Sequence, residues 1–222
     1  LYLMPVVILV GVALMWIFLR SVWLIAAGTL AIVSALLLTA GLVGYLDISV
    51  NQTSVLAFGI VFIVTLAEVI HILVGYLYAC QTLSKNDAMQ STLEHNLGSL
   101  FLTSFTTFLG FISLNISNSP AFAMFGNIAA VGASFALLST VTLLPTLCEW
   151  GPRPQLHRIA DKIQTSMGQI TALALQYPKT SLAIVTLITL FALPGLPFNH
   201  FQNDPLDYFS ETTNIHQSTK VF

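Results

Sequence analysis

Six stretches of the chain are nearly unbroken runs of apolar residues: 1–19, 22–45, 53–78, 98–114, 121–147 and 180–198. A helix needs about 20 such residues to cross roughly 30 Å of hydrocarbon, so each is read as a membrane span. The fourth is short and rich in Thr and Ser, which suits a helix surrounded by other helices rather than by lipid. The fifth carries Gly126, Ala130 and Ser134 four residues apart, with Ala129, Ala133 and Ala136 beside them. Small residues at that spacing let helix backbones approach closely. The sixth runs into Pro194-Gly-Leu-Pro197, a helix-breaking signal. The pattern predicts an all-α polytopic membrane bundle.

The polar connections differ in character. Arg20-Ser21 is a tight turn, and 47–52 and 115–120 are short and carry no basic residue. Segment 81–96 holds Lys85, Asp87, Glu94 and His95, and segment 149–179 holds Arg153, His157, Arg158, Asp161, Lys162 and Lys179. Of the 7 Lys and Arg, all but Lys220 fall on one side of the alternating spans. The positive-inside rule makes that side the cytoplasm and leaves 199–222 outside, in a periplasm or its equivalent. Two of the cytoplasmic segments are amphipathic at helical spacing. In 86–97, Ala88, Met89, Leu93 and Leu97 share a face; in 156–175, Leu156, Ile159, Ile163, Met167, Ile170 and Leu173 form a stripe. They are expected along the membrane surface or against the bundle. The organisation that follows is a five-span bundle over 1–150, a cytoplasmic linker over 151–179, a sixth span over 180–198 opening a second half, and the start of an extracytoplasmic domain over 199–222.

Composition agrees with a multi-pass plasma-membrane protein: 56% of residues are hydrophobic, only 7% are charged, and mean hydropathy is +0.86. The chain opens at Leu1 inside an apolar run, without Met or a basic n-region, and stops at Phe222 in a polar stretch without a capping signal. It is expected to be a fragment with no signal peptide. Cys80 and Cys148 sit at span ends on the cytoplasmic side and are expected to be small apolar packers.

One residue breaks the apolar pattern. Glu68 lies past the middle of the third run, and His71 follows one helical turn later on the same face. An acidic side chain at the centre of a bilayer costs about 2.5–3.5 kcal/mol on insertion scales, and such residues mark ion and proton routes. Two titratable groups on one face make Glu68 and His71 candidates for a proton relay. In the fourth run Thr103, Thr106, Thr107 and Gly110 form one polar, small-residue face at helical spacing, and the threonines offer hydroxyls that a buried carboxyl needs. The competing reading is that these hydroxyls bond back to their own helix carbonyls. There is no Gly-rich phosphate loop or Walker lysine, no Cys/His set with zinc spacing and no basic platform for nucleic acid. No catalytic residue, metal or cofactor is expected.

These residues resemble a family. Glu68 followed by His71, with Thr103-Ser-Phe-Thr-Thr-Phe-Leu-Gly-Phe111 in the next span, is similar to the fourth and fifth helices of RND-superfamily exporters of the MmpL and Patched-like branch. The segment from Phe125-Gly126 to Leu144-Pro145 resembles the helix after them. Tyr177-Pro178-Lys179 resembles the lead-in to the seventh helix, and Asn203-Asp204-Pro-Leu-Asp207-Tyr-Phe209 the start of the second periplasmic domain. The resemblance covers nearly the whole chain and implies the second to seventh of twelve helices. It departs at Glu68, where the family usually has Asp.

What the resemblance implies is a secondary active transporter rather than an enzyme: proton-motive-force-driven export of hydrophobic or amphipathic substrates such as lipids. Glu68 and His71 would carry the proton, and Thr103, Thr106 and Thr107 would support them. The partners implied are the bilayer, protons and a lipid-like substrate, with a homo-oligomer left open. Two other readings stand beside it: a sterol-sensing-like lipid-binding or scaffold protein without transport, and an accessory subunit of protein translocation.

Overall fold

The computed structural model describes residues 3–48, 50–117, 119–154 and 158–194. Among them there are seven α-helices: α1 Leu3–Leu19, α2 Val22–Tyr45, α3 Gln52–Ala79, α4 Lys85–Ile112, α5 Pro120–Trp150, α6 Arg158–Gln176 and α7 Pro178–Ala192. The chain divides into two compact units, 1–165 and 166–222, each described by itself. The protein is an all-α polytopic membrane bundle.

Local chemistry sets the helix starts. The Ser21 hydroxyl accepts from the Leu24 amide after a turn in which Arg20 takes φ 42°. Before α3, Asn51 and Ser54 form a reciprocal capping box: the Asn51 side chain accepts from the Ser54 amide, and the Ser54 hydroxyl accepts from the Asn51 amide, both at 2.8 Å. Ser84 caps α4 through the Asp87 amide, and Pro120 occupies the first turn of α5.

Helices α2, α3, α4 and α5 continue far enough and are apolar enough to cross a membrane, with the short turn Ser113–Ile116 extending α4. The 17-residue α1 rises about 25 Å, a little under the hydrocarbon thickness. Outward-facing positions are large and apolar (Leu9, Leu37, Phe101, Leu102), while Ala, Gly, Ser and Thr fill much of the interior. That distribution fits lipid as the surrounding medium.

At the centre is α5, which packs on α2, α3 and α4. Its inner face is Gly126, Ala129, Ala130, Gly132, Ala133 and Ala136. Ser134 lies off that face and bonds back to the Ala130 carbonyl. A Cβ at Gly132 would collide with Val61 of α3, and one at Gly126 with the Phe111 carbonyl. α3 and α5 run parallel in a fixed register. Asn51 Nδ2 donates to Met124 Sδ at one end and Arg153 Nη2 to the Cys80 carbonyl at the other, both across 73 residues. α4 runs antiparallel to α3, with Thr92 against Gly75 and Ser104 against Glu68.

One end of this unit is clamped by cations and an indole. Arg153 also donates to the Leu83 carbonyl, Lys85 Nζ to the carbonyls of Glu149 and Gly151, and Trp23 Nε1 to the Leu147 carbonyl at 2.8 Å. These bonds satisfy carbonyls that the ends of α3 and α5 leave open, where the helix dipole favours positive charge. Cys80 and Cys148 are buried free thiols in the same core.

The expected connection 81–96, with its amphipathic segment over 86–97, and the separate span over 98–114 form one 28-residue helix. Nothing between Lys85 and Ile112 stops a helix except Gly98 and Gly110, which have open space around them and are tolerated. The amphipathic segment is therefore the first half of α4. Its Ala88, Met89 and Thr92 are buried against the bundle rather than laid on a membrane surface.

In the second unit, α6 reaches Gln176 and the chain bends by 100° at Tyr177 before α7. Pro178 sits in the first turn of α7. Along α6, Met167, Ile170 and Leu173 stand on the expected stripe and are exposed. The region expected as the sixth span holds the 15-residue helix Pro178–Ala192, which is long enough to cross a membrane only together with the bent α6; the expected end of that span and the whole of 199–222 lie outside the described residues.

The α3–α5 seam yields a stability test. Gly132→Val is expected to lower stability by about 1–3 kcal/mol, the usual cost of overpacking a tight contact. Gly41→Ala, at a position with nothing within 4 Å, is expected to be neutral or slightly stabilising. Thermal unfolding in detergent, with both variants beside the wild type, checks the contrast.

Candidate functional site

Three helices meet at Glu68. The parallel α3–α5 register brings Thr140 opposite it, and the antiparallel α3–α4 register brings Ser104. Glu68 is only 6% exposed. The Ser104 hydroxyl donates to Glu68 Oε1 at 2.7 Å. Oε2 is buried without a hydrogen-bond partner among the described residues. The Thr140 hydroxyl of α5 faces the carboxyl but stands outside hydrogen-bond geometry, and Ser139 beside it is buried and equally unpartnered. The carboxyl is thus held at one oxygen and bare at the other, with the Thr140 hydroxyl facing it.

His71 sits on the same side of α3 but is exposed. Among the described residues it makes no bond to Glu68. Its Nε2 lies 2.8 Å from Asn96 Oδ1 of α4. The two residues are nonetheless joined by space: a cavity of about 360 Å³ between α3 and α4 is lined by Glu68, His71, Ser99, Thr103 and Thr107, with Val64, Ala67 and Leu100 as its apolar walls. That volume admits several water molecules at about 30 Å³ each.

The hydroxyl face expected to hold the carboxyl is arranged differently. Thr103 and Thr106 are exposed, and their hydroxyls donate to their own helix, Thr103 to the Ser99 carbonyl and Thr106 to those of Leu102 and Thr103. Neither bonds Glu68. Thr103 and Thr107 line the cavity instead. The residue that does bond the carboxyl, Ser104, lies inside the quoted motif but was masked by its richer neighbours. The usable signal is the row Ala88, Thr92, Asn96, Leu100 and Ser104, spaced by four along α4, which faces the bundle; Asn96 is half-buried and the others are buried. Thr140 and Ser139 carried no signal, since the α3–α5 register that aligns them with Glu68 is a tertiary fact.

Among the described residues no three His, Cys, Asp or Glu side chains come together as a metal site. No protein-family model matches the chain, and the search of curated proteins found no match.

The geometry separates Ser104 from the threonines. Ser104→Ala leaves Glu68 without a bonded donor among the described residues and is expected to cost about 1–3 kcal/mol, the penalty for orphaning a buried polar group. Thr103→Ala and Thr106→Ala remove hydroxyls that bond only their own helix, and are expected to change stability by less than half as much. Thermal unfolding of the three variants, and a double-mutant cycle of Ser104→Ala with Glu68→Gln, measures the difference; equal losses at all three positions would contradict the assignment.

Proposed function

We propose that this chain is part of the membrane domain of a proton-driven exporter of the RND type, moving hydrophobic or amphipathic molecules such as lipids out of the cytoplasmic membrane. The observation that carries this reading is the half-satisfied carboxyl of Glu68. A buried carboxyl with one bonded oxygen and one bare oxygen, beside a cavity wide enough for water, is able to take up and release a proton. A purely structural polar group would be expected to have both oxygens covered.

In this reading Glu68 holds the proton at Oε2. The change in its charge alters its attraction to Ser104 and Thr140, and so changes how α4 and α5 pack on α3. His71, across the cavity, is the next group in the relay. Thr107 and Thr103 offer polar lining to the water between them, and Ser104 takes over the carboxyl-bonding role expected of the threonines. A proton crossing the membrane potential releases about 2.3 kcal/mol per 100 mV, enough to bias a bundle between two packings that differ by a few kcal/mol. The end clamped by Lys85 and Arg153, which also bears the Arg20 turn, is assigned to the cytoplasm by the excess of basic residues. The longer stem of Glu68, compared with the Asp of the resembled family, sets the reach to Ser104.

The test is transport by the protein reconstituted in vesicles under an imposed pH gradient, with a fluorescent lipid as the exported probe. Glu68→Gln keeps the acceptor for Ser104 but cannot lose a proton, and is expected to abolish gradient-driven efflux. Glu68→Asp is expected to retain reduced efflux. Equal efflux from wild type and Glu68→Gln overturns Glu68 as the carrier. No efflux from either, with the lipid still bound, favours a lipid-binding protein without transport.

A further inference from the structure

His71 borders two cavities. One is the Glu68 cavity of about 360 Å³; the other, of about 390 Å³, is lined among others by Phe18 of α1, Tyr78 of α3, and His95 and Asn96 of α4. Asn96 belongs to the second cavity, so the ring is tethered on that side. The orientation of the tether follows from the other half of the amide. Asn96 Nδ2 donates to the Thr92 carbonyl at 2.8 Å, which leaves Oδ1 to face the ring. An amide oxygen only accepts, so His71 Nε2 carries the hydrogen. In a neutral imidazole the other nitrogen, Nδ1, is then bare.

We infer that Asn96 is a positioning residue: it holds His71 as the Nε2–H tautomer and so makes Nδ1 the ring atom that accepts a proton arriving from the Glu68 cavity. This rests on the relay reading above. In the transfer the Glu68 O–H bond breaks and an Nδ1–H bond forms by way of water in the cavity, leaving a carboxylate and an imidazolium. Both ring nitrogens then carry hydrogen, and the Nε2–H bond to Asn96 is strengthened by the positive charge. Asn96 has no basic atom to take the proton onward. The proton therefore returns through Nδ1 until the ring turns away from Asn96 and presents Nε2–H to the His95 side. Asn96 acts as a stop between the two cavities. The titratable groups around the ring are Glu68 and Tyr78 on its own helix and His95 on α4; α1 contributes Phe18.

The experiment is nitrogen NMR of the ¹⁵N-histidine-labelled protein in lipid nanodiscs, with the His71 signals assigned by their loss in His71→Gln. The wild type is expected to show a protonated Nε2 and a bare Nδ1. Asn96→Asp keeps an acceptor in place and is expected to keep that tautomer, whereas Asn96→Leu is expected to shift the ring to a mixture of the two. A wild type with hydrogen on Nδ1 overturns the proposal, as does an Asn96→Leu protein that retains the pure Nε2–H form. Should Asn96→Leu not fold, judged by its thermal unfolding, the wild-type and Asn96→Asp spectra still decide it. The tautomer is read without transport, so failure of the Glu68→Gln efflux test would remove the relay and leave the positioning result to stand or fall separately.

Discussion

A carboxyl group placed inside an apolar bundle has to be held by groups that the bundle itself carries to it, because hydrocarbon supplies none. At Glu68 that requirement is met in part. α4 brings the Ser104 hydroxyl into a bond with Oε1, and α5 brings Thr140 to the carboxyl without a bond. Both approaches depend on close helix packing. Gly132 lets α5 lie against Val61 of α3, two turns before Glu68, and a larger residue there would push Thr140 away from the carboxyl. The small-residue face of α5 therefore does more than pack helices: it fixes the distance at which a polar group from a third helix meets the buried acid.

The same economy appears at the basic end. Lys85 and Arg153 were informative in the sequence as markers of a side. In the fold they donate to carbonyls at the ends of α3 and α5, where backbone oxygens lack helical partners. Together with the Asn51–Met124 contact at the opposite end, they pin the register of α3 on α5 at both extremities. A slip of one residue would carry Thr140 about 100° around α5 relative to Glu68.

Hydrophobic runs made the helices and most of their bounds legible, since α2, α3 and α5 begin and end within a few residues of the apolar stretches. The boundary that was not legible is the start of α4. Its polar first half reads as an amphipathic segment separate from the span, yet it continues into it and carries a helical row of residues that packs on α3, so tertiary burial decided the matter. Glu68 and His71 stood out because a charge or an imidazole in an apolar run is conspicuous in one dimension. Their partners did not, because hydroxyls are common in such helices and most bond their own backbone, as Thr65, Thr92, Thr103 and Thr106 do. Counting hydroxyls picks the richest face of α4; the fold uses the face that points at α3.

That face ties the two titratable residues to one helix. Ser104 bonds Glu68 and Asn96 bonds His71, both from α4 and both through the antiparallel α3–α4 register. A slide of α4 by one turn, about 5.4 Å, would put Leu100 or Phe108 where Ser104 stands. The same slide would put Thr92 or Leu100 where Asn96 stands. In either direction the carboxyl loses its donor, and in one the imidazole loses every polar partner from this row. An ionised Glu68 therefore opposes such a slide and a protonated one permits it, because a neutral acid in an apolar setting costs far less than a charged one. Were α4 to move on α3 in this way, linkage would couple that movement to the protonation of Glu68.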